Sequence, residues 1–214
     1  MNVRPQSKTT SYIYDVAISD VNDTIYLLVT QLMSPRFSSP GKFEVLVLNE
    51  TLDFQLRFPV GKGSGFNRLT VSGSKVFILK GRKVVECHAR NGSYVSSFGE
   101  GIIESAQEIT ASKDGRVMVL DSDQSCHLFN VDGLHLANFS VNIQGDRYYR
   151  IACHPVGEHV VVAAEERETH LLIVAIYIVN GDFERKIQLN ETLNHTFFGT
   201  QSPALTVGWK SNCA

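Results

Sequence analysis

The feature that most constrains this chain is a pattern of four short β-type runs, each closed by a turn, that returns about every forty residues. It is cleanest in residues 106–139, where the runs fall at 109–111, 117–120, 126–129 and 134–139. Between them stand Lys113-Asp114-Gly115, residues 121–125 and Val131-Asp132-Gly133. Short runs bounded by Gly, Asp, Asn and Ser read as antiparallel strands joined by tight turns.

The copies align on their first strands: Val16-Ala17-Ile18-Ser19, Leu69-Thr70-Val71-Ser72, Ile109-Thr110-Ala111-Ser112, Ile151-Ala152-Cys153-His154 and Leu205-Thr206-Val207-Gly208. Their last members are separated by 53, 40, 42 and 54 residues, a period stretched twice by longer loops. Second runs follow as Ile25-Tyr26-Leu27-Leu28-Val29, Val76-Phe77-Ile78-Leu79, Val117-Met118-Val119-Leu120 and Val160-Val161-Val162-Ala163-Ala164. They lack the polar alternation of a strand with one wet face, so they predict strands covered on both sides. Third strands are predicted over 43–48, 84–88, 126–129 and 171–179, and fourth strands over 52–58, 94–98, 134–141 and 183–189. Asn91-Gly92, Asp132-Gly133 and Asn180-Gly181 supply hairpin turns between third and fourth strands, while the first copy has Asn49-Glu50 there.

Four antiparallel strands per repeat with no helical period predict an all-β fold, a β-propeller built of four-stranded blades. The blades are predicted at 12–65, 66–105, 106–146 and 147–200, after a disordered segment at 1–11. Residues 201–208 read as the first strand of a fifth blade and 209–214 as an irregular tail.

In detail the third unit resembles an NHL repeat. Ser97-Phe98-Gly99 and a Gly/Glu link lead into Ile109, followed by Lys113-Asp114-Gly115, Val119-Leu120-Asp121, Leu128-Phe129 and Asp132-Gly133. Residues 58–66, Phe-Pro-Val-Gly-Lys-Gly-Ser-Gly-Phe, are similar to that family's glycine-rich link between blades. The resemblance covers most of 12–208 and is best in the second and third blades. It implies a six-bladed ring, of which this array would be a shortened copy with open edges. It further implies a binding platform of the kind found in tripartite-motif (TRIM) proteins, such as the substrate-recognition part of a TRIM-like ubiquitin ligase, and some TRIM proteins use an NHL propeller to bind RNA in post-transcriptional regulation. No Gly-His and Trp-Asp signature of WD40 blades is present; the only tryptophan is Trp209.

A chain of 214 residues is long enough to bury about 70% of its unfolded surface. No apolar run nears the ~20 residues of a membrane-spanning helix, and residues 1–11 are polar, without the apolar segment of a signal peptide, so a cytoplasmic location and no membrane contact are expected. Cys87, Cys126, Cys153 and Cys213 are too scattered for a disulfide framework and are expected to be reduced. A net charge of −2 confines any nucleic-acid affinity to a local patch.

Such a patch is predicted by connectivity. In an up-and-down blade, the turns joining strands two and three lie at the same end as the blade-to-blade links. That end receives Lys62, Arg68, Lys80, Arg82 and Lys83 from the second blade and its link, and Arg147, Tyr148 and Arg150 from the entry to the fourth. Residues 57–90 carry eight basic side chains against the single acid Glu86. Basic groups with aromatics suit single-stranded RNA, through phosphate neutralisation and base stacking. The bland alternative is a solvated blade edge interrupted by Glu100, Glu104, Glu108, Asp121, Asp123, Glu165, Glu166 and Glu168.

Cys87-His88, Cys126-His127 and Cys153-His154 suggest zinc by residue type. Neighbours in a strand point to opposite faces, however, so no such pair can hold one ion, and buried structural residues are expected instead. Nucleophile elbows, metalloprotease helices and phosphate loops are missing. No enzyme activity and no cofactor are expected. Six Asn-x-Ser/Thr sequons, at Asn22, Asn49, Asn91, Asn138, Asn190 and Asn194, fit either glycan acceptors or turn chemistry, and turns are favoured. The sequence thus predicts a protein-interaction scaffold, with an RNA-binding propeller as the alternative. A secreted, glycosylated propeller or a metalloenzyme like the peptide-amidating lyases comes third. Self-association through open propeller edges is also expected.

Overall fold

The computed structural model describes residues 10–19, 21, 23–32, 42–62, 68–141, 143, 147–154, 158–166, 169 and 171–192. The described chain is all-β, in four four-stranded antiparallel sheets, each an up-and-down meander of consecutive strands like a propeller blade. Blade 1 comprises β1 (Thr10–Ile18), β2 (Ile25–Leu32), β3 (Lys42–Leu48) and β4 (Phe54–Lys62). Blade 2 comprises β5 (Arg68–Ser72), β6 (Lys75–Lys80), β7 (Val84–Ala89) and β8 (Tyr94–Phe98). Blade 3 comprises β9 (Ala106–Ala111), β10 (Val117–Asp121), β11 (Ser125–Phe129) and β12 (His135–Ser140). Blade 4 comprises β13 (Arg147–Cys153), β14 (His159–Glu165), β15 (Leu171–Ile178) and β16 (Phe183–Thr192). The strand expected at 201–208 and the tail at 209–214 lie outside the described residues. So do residues 1–9 of the segment expected to be disordered, whereas Thr10 and Ser11 already belong to β1.

The chain divides into two compact units, residues 1–104 and 105–214. In the first, Tyr26, Leu28, Val45, Val47, Phe58 and Val60 of blade 1 share a core with Leu69, Val76 and Ile78 of blade 2. In the second, Met118, Leu120, Cys126 and Leu128 of blade 3 share a core with Ile151, Val160, Val162, Ile173, Ala175 and Tyr177 of blade 4. Alternate residues of a strand point to opposite faces, so each core uses one face of each blade.

All four hairpins between third and fourth strands begin with an asparagine that caps its own turn. The Oδ1 atoms of Asn49, Asn91, Asn130 and Asn180 accept backbone N–H bonds from Thr51, Ser93, Asp132 and Asp182 at 3.1, 3.0, 3.0 and 3.0 Å. This Asx-turn serves the first hairpin as well, where Asn49 also accepts from Asp53 N at 2.7 Å. Gly92 and Gly181 then take φ of +84° and +101°, and a Cβ on either would lie 2.5 Å from Phe58 or Phe139 respectively. One glycine per unit therefore lets a hairpin close onto an aromatic ring of the preceding blade.

Candidate functional site

Blades 1 and 2 are aligned by two sets of polar ties. The Leu69 N–H donates to Asp15 Oδ2 at 2.9 Å. At the other end of these strands, the Arg90 guanidinium donates to Gly73 O at 2.6 Å and to Ser19 Oγ at 3.2 Å. Asp15 and Leu69 are offset by the same number of positions as Ser19 and Gly73. β1 and β5 consequently run in the same sense, with Tyr14 near the level of Arg68.

These ties sort the eight basic residues of 57–90. Arg68 opens β5 opposite Leu79, Lys80 closes β6, and Arg82 and Lys83 form the turn into β7, so these four occupy one end of blade 2. Lys75 opens β6 at the opposite end, Arg90 is engaged in the ties just described, and Arg57 is exposed in mid-strand on β4. Lys62 closes β4 opposite Lys42, with its side chain outside the described residues.

Arg82 and Lys83 are exposed, Arg68 is half-buried, and the Lys80 ammonium donates to Glu86 Oε1 at 2.6 Å. Lys80 therefore brings a partly compensated charge. Arg82 has φ +71° beside Gly81 at +62°. A left-handed arginine is strained relative to glycine at the same angle. Glu100 is exposed just beyond β8 and tempers the positive field.

Sequence reasoning missed two aromatic neighbours of this end. Tyr12 and Tyr14 of β1 are 44% and 39% exposed, so both are open to a ligand. A bulge between Ile13 and Asp15 shifts the register there and re-aims Tyr14, whose ring meets Phe43 edge-on at a centroid distance of 5.2 Å. The signal available in the sequence was Tyr12-Ile13-Tyr14, an aromatic pair at alternating spacing in the first strand.

In the second unit, the side chains of Arg147 and Tyr148 lie outside the described residues. Arg150 is paired with the buried Glu108 of β9 at 2.5 Å, which commits its charge to the contact between the first strands of blades 3 and 4. The corresponding turn of blade 3 is acidic. Buried Asp121 accepts N–H bonds from Ser105 and Ser122, both at 2.7 Å, and Asp123 accepts from Ser125, whose hydroxyl and backbone N–H hold the Asp123 carboxyl below its ordinary range.

The Cys-His dipeptides are built into the blades. Cys87 and Cys126 are fully buried and Cys153 is half-buried, all three as free thiols. Burial pushes the Cys126 thiol far above its usual range and that of Cys153 up to about 12. His88 stacks on Phe58 and stands 3.3 Å from both Gly92 O and Glu86 Oε2, while His127 stands 3.1 Å from Ser125 Oγ. Among the described residues, no three His, Cys, Asp or Glu side chains converge as a metal site would require.

The sequons divide by location. Asn49 and Asn91 serve hairpin turns, and blades 3 and 4 place Asp132 and Asp182 where those sequons have Thr51 and Ser93. Asn138, by contrast, lies on β12 with both it and Ser140 exposed, so turn chemistry does not account for it. Asn22, Asn194 and the Asn190 side chain lie outside the described residues. No family model matches the chain, and no curated protein matches it.

Proposed function

We propose that the protein is a non-enzymatic binding platform whose working surface is the shared end of blades 1 and 2, formed by Arg68, Lys80, Arg82 and Lys83 with Tyr12 and Tyr14. The observation that carries this reading is the exposed Arg82-Lys83 turn, in which Arg82 is held in a left-handed conformation. A positive turn on a rigid scaffold attracts anionic chains by long-range field and holds them by charge-assisted hydrogen bonds. The partner is an acidic segment of another protein. This agrees with the interaction-scaffold role implied by the NHL resemblance; any ubiquitin-ligase activity would belong to residues other than these.

A second reading, single-stranded RNA, is favoured specifically by Tyr12 and Tyr14, since exposed rings beside basic groups offer stacking surfaces. One experiment separates the two. Fluorescent acidic peptides and an RNA pool are titrated against the protein and against Lys80→Glu/Arg82→Glu/Lys83→Glu, at low and moderate salt. Platform binding predicts that the triple variant loses affinity for the preferred ligand. RNA binding further predicts a steep fall with salt and a loss in Tyr12→Ala/Tyr14→Ala. Unchanged affinity in the triple variant rules out this surface.

A further inference from the structure

We propose that Glu86 is a built-in competitor for the Lys80 ammonium, an inference that rests on the reading of this end of blade 2 as a binding surface. Glu86 is the single acid of residues 57–90. It lies on β7, opposite Ile78 of β6 and Ser97 of β8. Both of its carboxylate oxygens are engaged. Oε1 accepts from Lys80 Nζ at 2.6 Å, and Oε2 stands 3.3 Å from His88 Nε2. The Glu86 side chain is 14% exposed and that of Lys80 is 34% exposed, so the acid is the fixed partner and the ammonium is the one that an incoming ligand can reach.

The fold holds the acid from behind. The buried His88 ring stacks on Phe58 of blade 1, meets Tyr94 edge-on at a centroid distance of 5.7 Å and has Nδ1 3.3 Å from Gly92 O. The carboxylate thus stays in place when its lysine is drawn away. The blade itself does not require an acid at this position. The equivalent third-strand positions, opposite Leu27, Val119 and Val162, carry Leu46, His127 and Ala175.

A ligand carboxylate arriving at Lys80 therefore meets an ammonium already neutralised by a group of its own chemistry. Because the resident carboxylate is intramolecular, it competes at a high effective concentration. A ligand with adjacent acidic residues overcomes this by first engaging Arg82 and Lys83, which are exposed and lie at the same end of the blade. Its next carboxylate is then also held close to Lys80, and it displaces Glu86 by exchanging one charge-assisted hydrogen bond for another.

A fluorescent peptide carrying a run of glutamates, titrated at low salt against the wild-type chain, Glu86→Gln, Lys80→Gln and the double variant, tests this as a cycle. Glu86→Gln is expected to bind about fivefold more tightly, the range of a partly exposed ion pair. Lys80→Gln should bind about twofold more weakly in the wild-type background and about tenfold more weakly beside Glu86→Gln, because the released ammonium then contributes fully. A gain from Glu86→Gln that persists in Lys80→Gln would come from the general field of the lost charge, and it overturns the proposal, as does no gain at all. Arg82→Glu/Lys83→Glu keeps two failures apart. If that variant retains wild-type affinity, the binding surface itself is wrong and the competitor falls with it. If it loses affinity while Glu86→Gln gains none, only the competitor is removed. Should Glu86→Gln melt early, Glu86→Leu, which copies blade 1, gives the same readout.

Discussion

Blade 3 and blade 1 are built on the same repeat yet differ in how much of it is covered. In β10 every residue from Val117 to Asp121 is buried, whereas β3 alternates buried Phe43, Val45 and Val47 with half-buried Glu44, Leu46 and Leu48. The equivalent second strands were indistinguishable as sequence: Ile25-Tyr26-Leu27-Leu28-Val29 is as apolar as Val117-Met118-Val119-Leu120, yet Ile25 and Leu27 are only half-buried. The comparison teaches that an apolar strand states a demand for cover on both faces. Whether the demand is met depends on what packs against it.

The largest test of that contrast is truncation of one leucine in each blade. Leu120→Ala in blade 3 is expected to cost about 3 kcal/mol, because the side chain is fully buried in a core that cannot collapse around the void. Leu46→Ala on the half-buried face of blade 1 is expected to cost about 1 kcal/mol. Urea unfolding of the two variants measures the difference, and equal losses would erase the distinction between covered and uncovered faces.

The hairpin glycines should show where the blades are alike. Gly92→Ala and Gly181→Ala are each expected to destabilise by about 2 kcal/mol, since a methyl group would meet Phe58 or Phe139 at a backbone angle that alanine rarely adopts. Gly73→Ala, with open space around its Cβ, retains only the conformational penalty of about 1 kcal/mol. A smaller gap between these variants than this would show that the aromatic contacts yield easily.

Arg82→Gly sharpens the functional side of the contrast. Relief of the left-handed strain is expected to leave stability unchanged or raise it by up to about 1 kcal/mol, while ligand affinity falls. Thermal unfolding together with ligand titration reads both effects.

The smallest expected effect lies in the turn between β9 and β10. Burial raises the Asp114 pKa, but hydrogen bonds from Arg116 and Ser112 outweigh it and hold the carboxyl below its ordinary range. A depressed carboxylate stabilises the fold above its unfolded pKa, and that contribution disappears as pH falls through the folded value. Asp114→Asn should thus cost about 0.5–1 kcal/mol at neutral pH and progressively less below about pH 4, measured as unfolding midpoints across that range.

Much of the architecture was legible because local chemistry repeats. Third and fourth strands could be placed by Asn-Gly and Asp-Gly turns, and the observed boundaries fall within a few residues of the expected ones. β1 extends six residues further toward the N-terminus than its aligned core of Val16, because Tyr12-Ile13-Tyr14 pairs with β2 across a bulge that alternation alone does not reveal. The basic patch was legible as composition, not as the partners that each charge takes up. Arg68, Lys80, Arg82 and Lys83 share one end of blade 2, while Arg150 is held by Glu108, a partner 42 positions away. Tyr12 and Tyr14 could not be assigned to that end until hydrogen bonds from Leu69 and Arg90 set the direction of β1 beside β5.

By itself the sequence determined the order of the described strands and the turns that join them, since these follow from side-chain periodicity and from backbone angles accessible to Asn, Asp and Gly. The tertiary structure decided which apolar faces are covered, which charges are already paired and that Tyr14 lies near the level of Arg68. Those outcomes rest on contacts between residues far apart in the chain, where a pairing such as Arg150 with Glu108 or Gly92 with Phe58 leaves no local pattern to read.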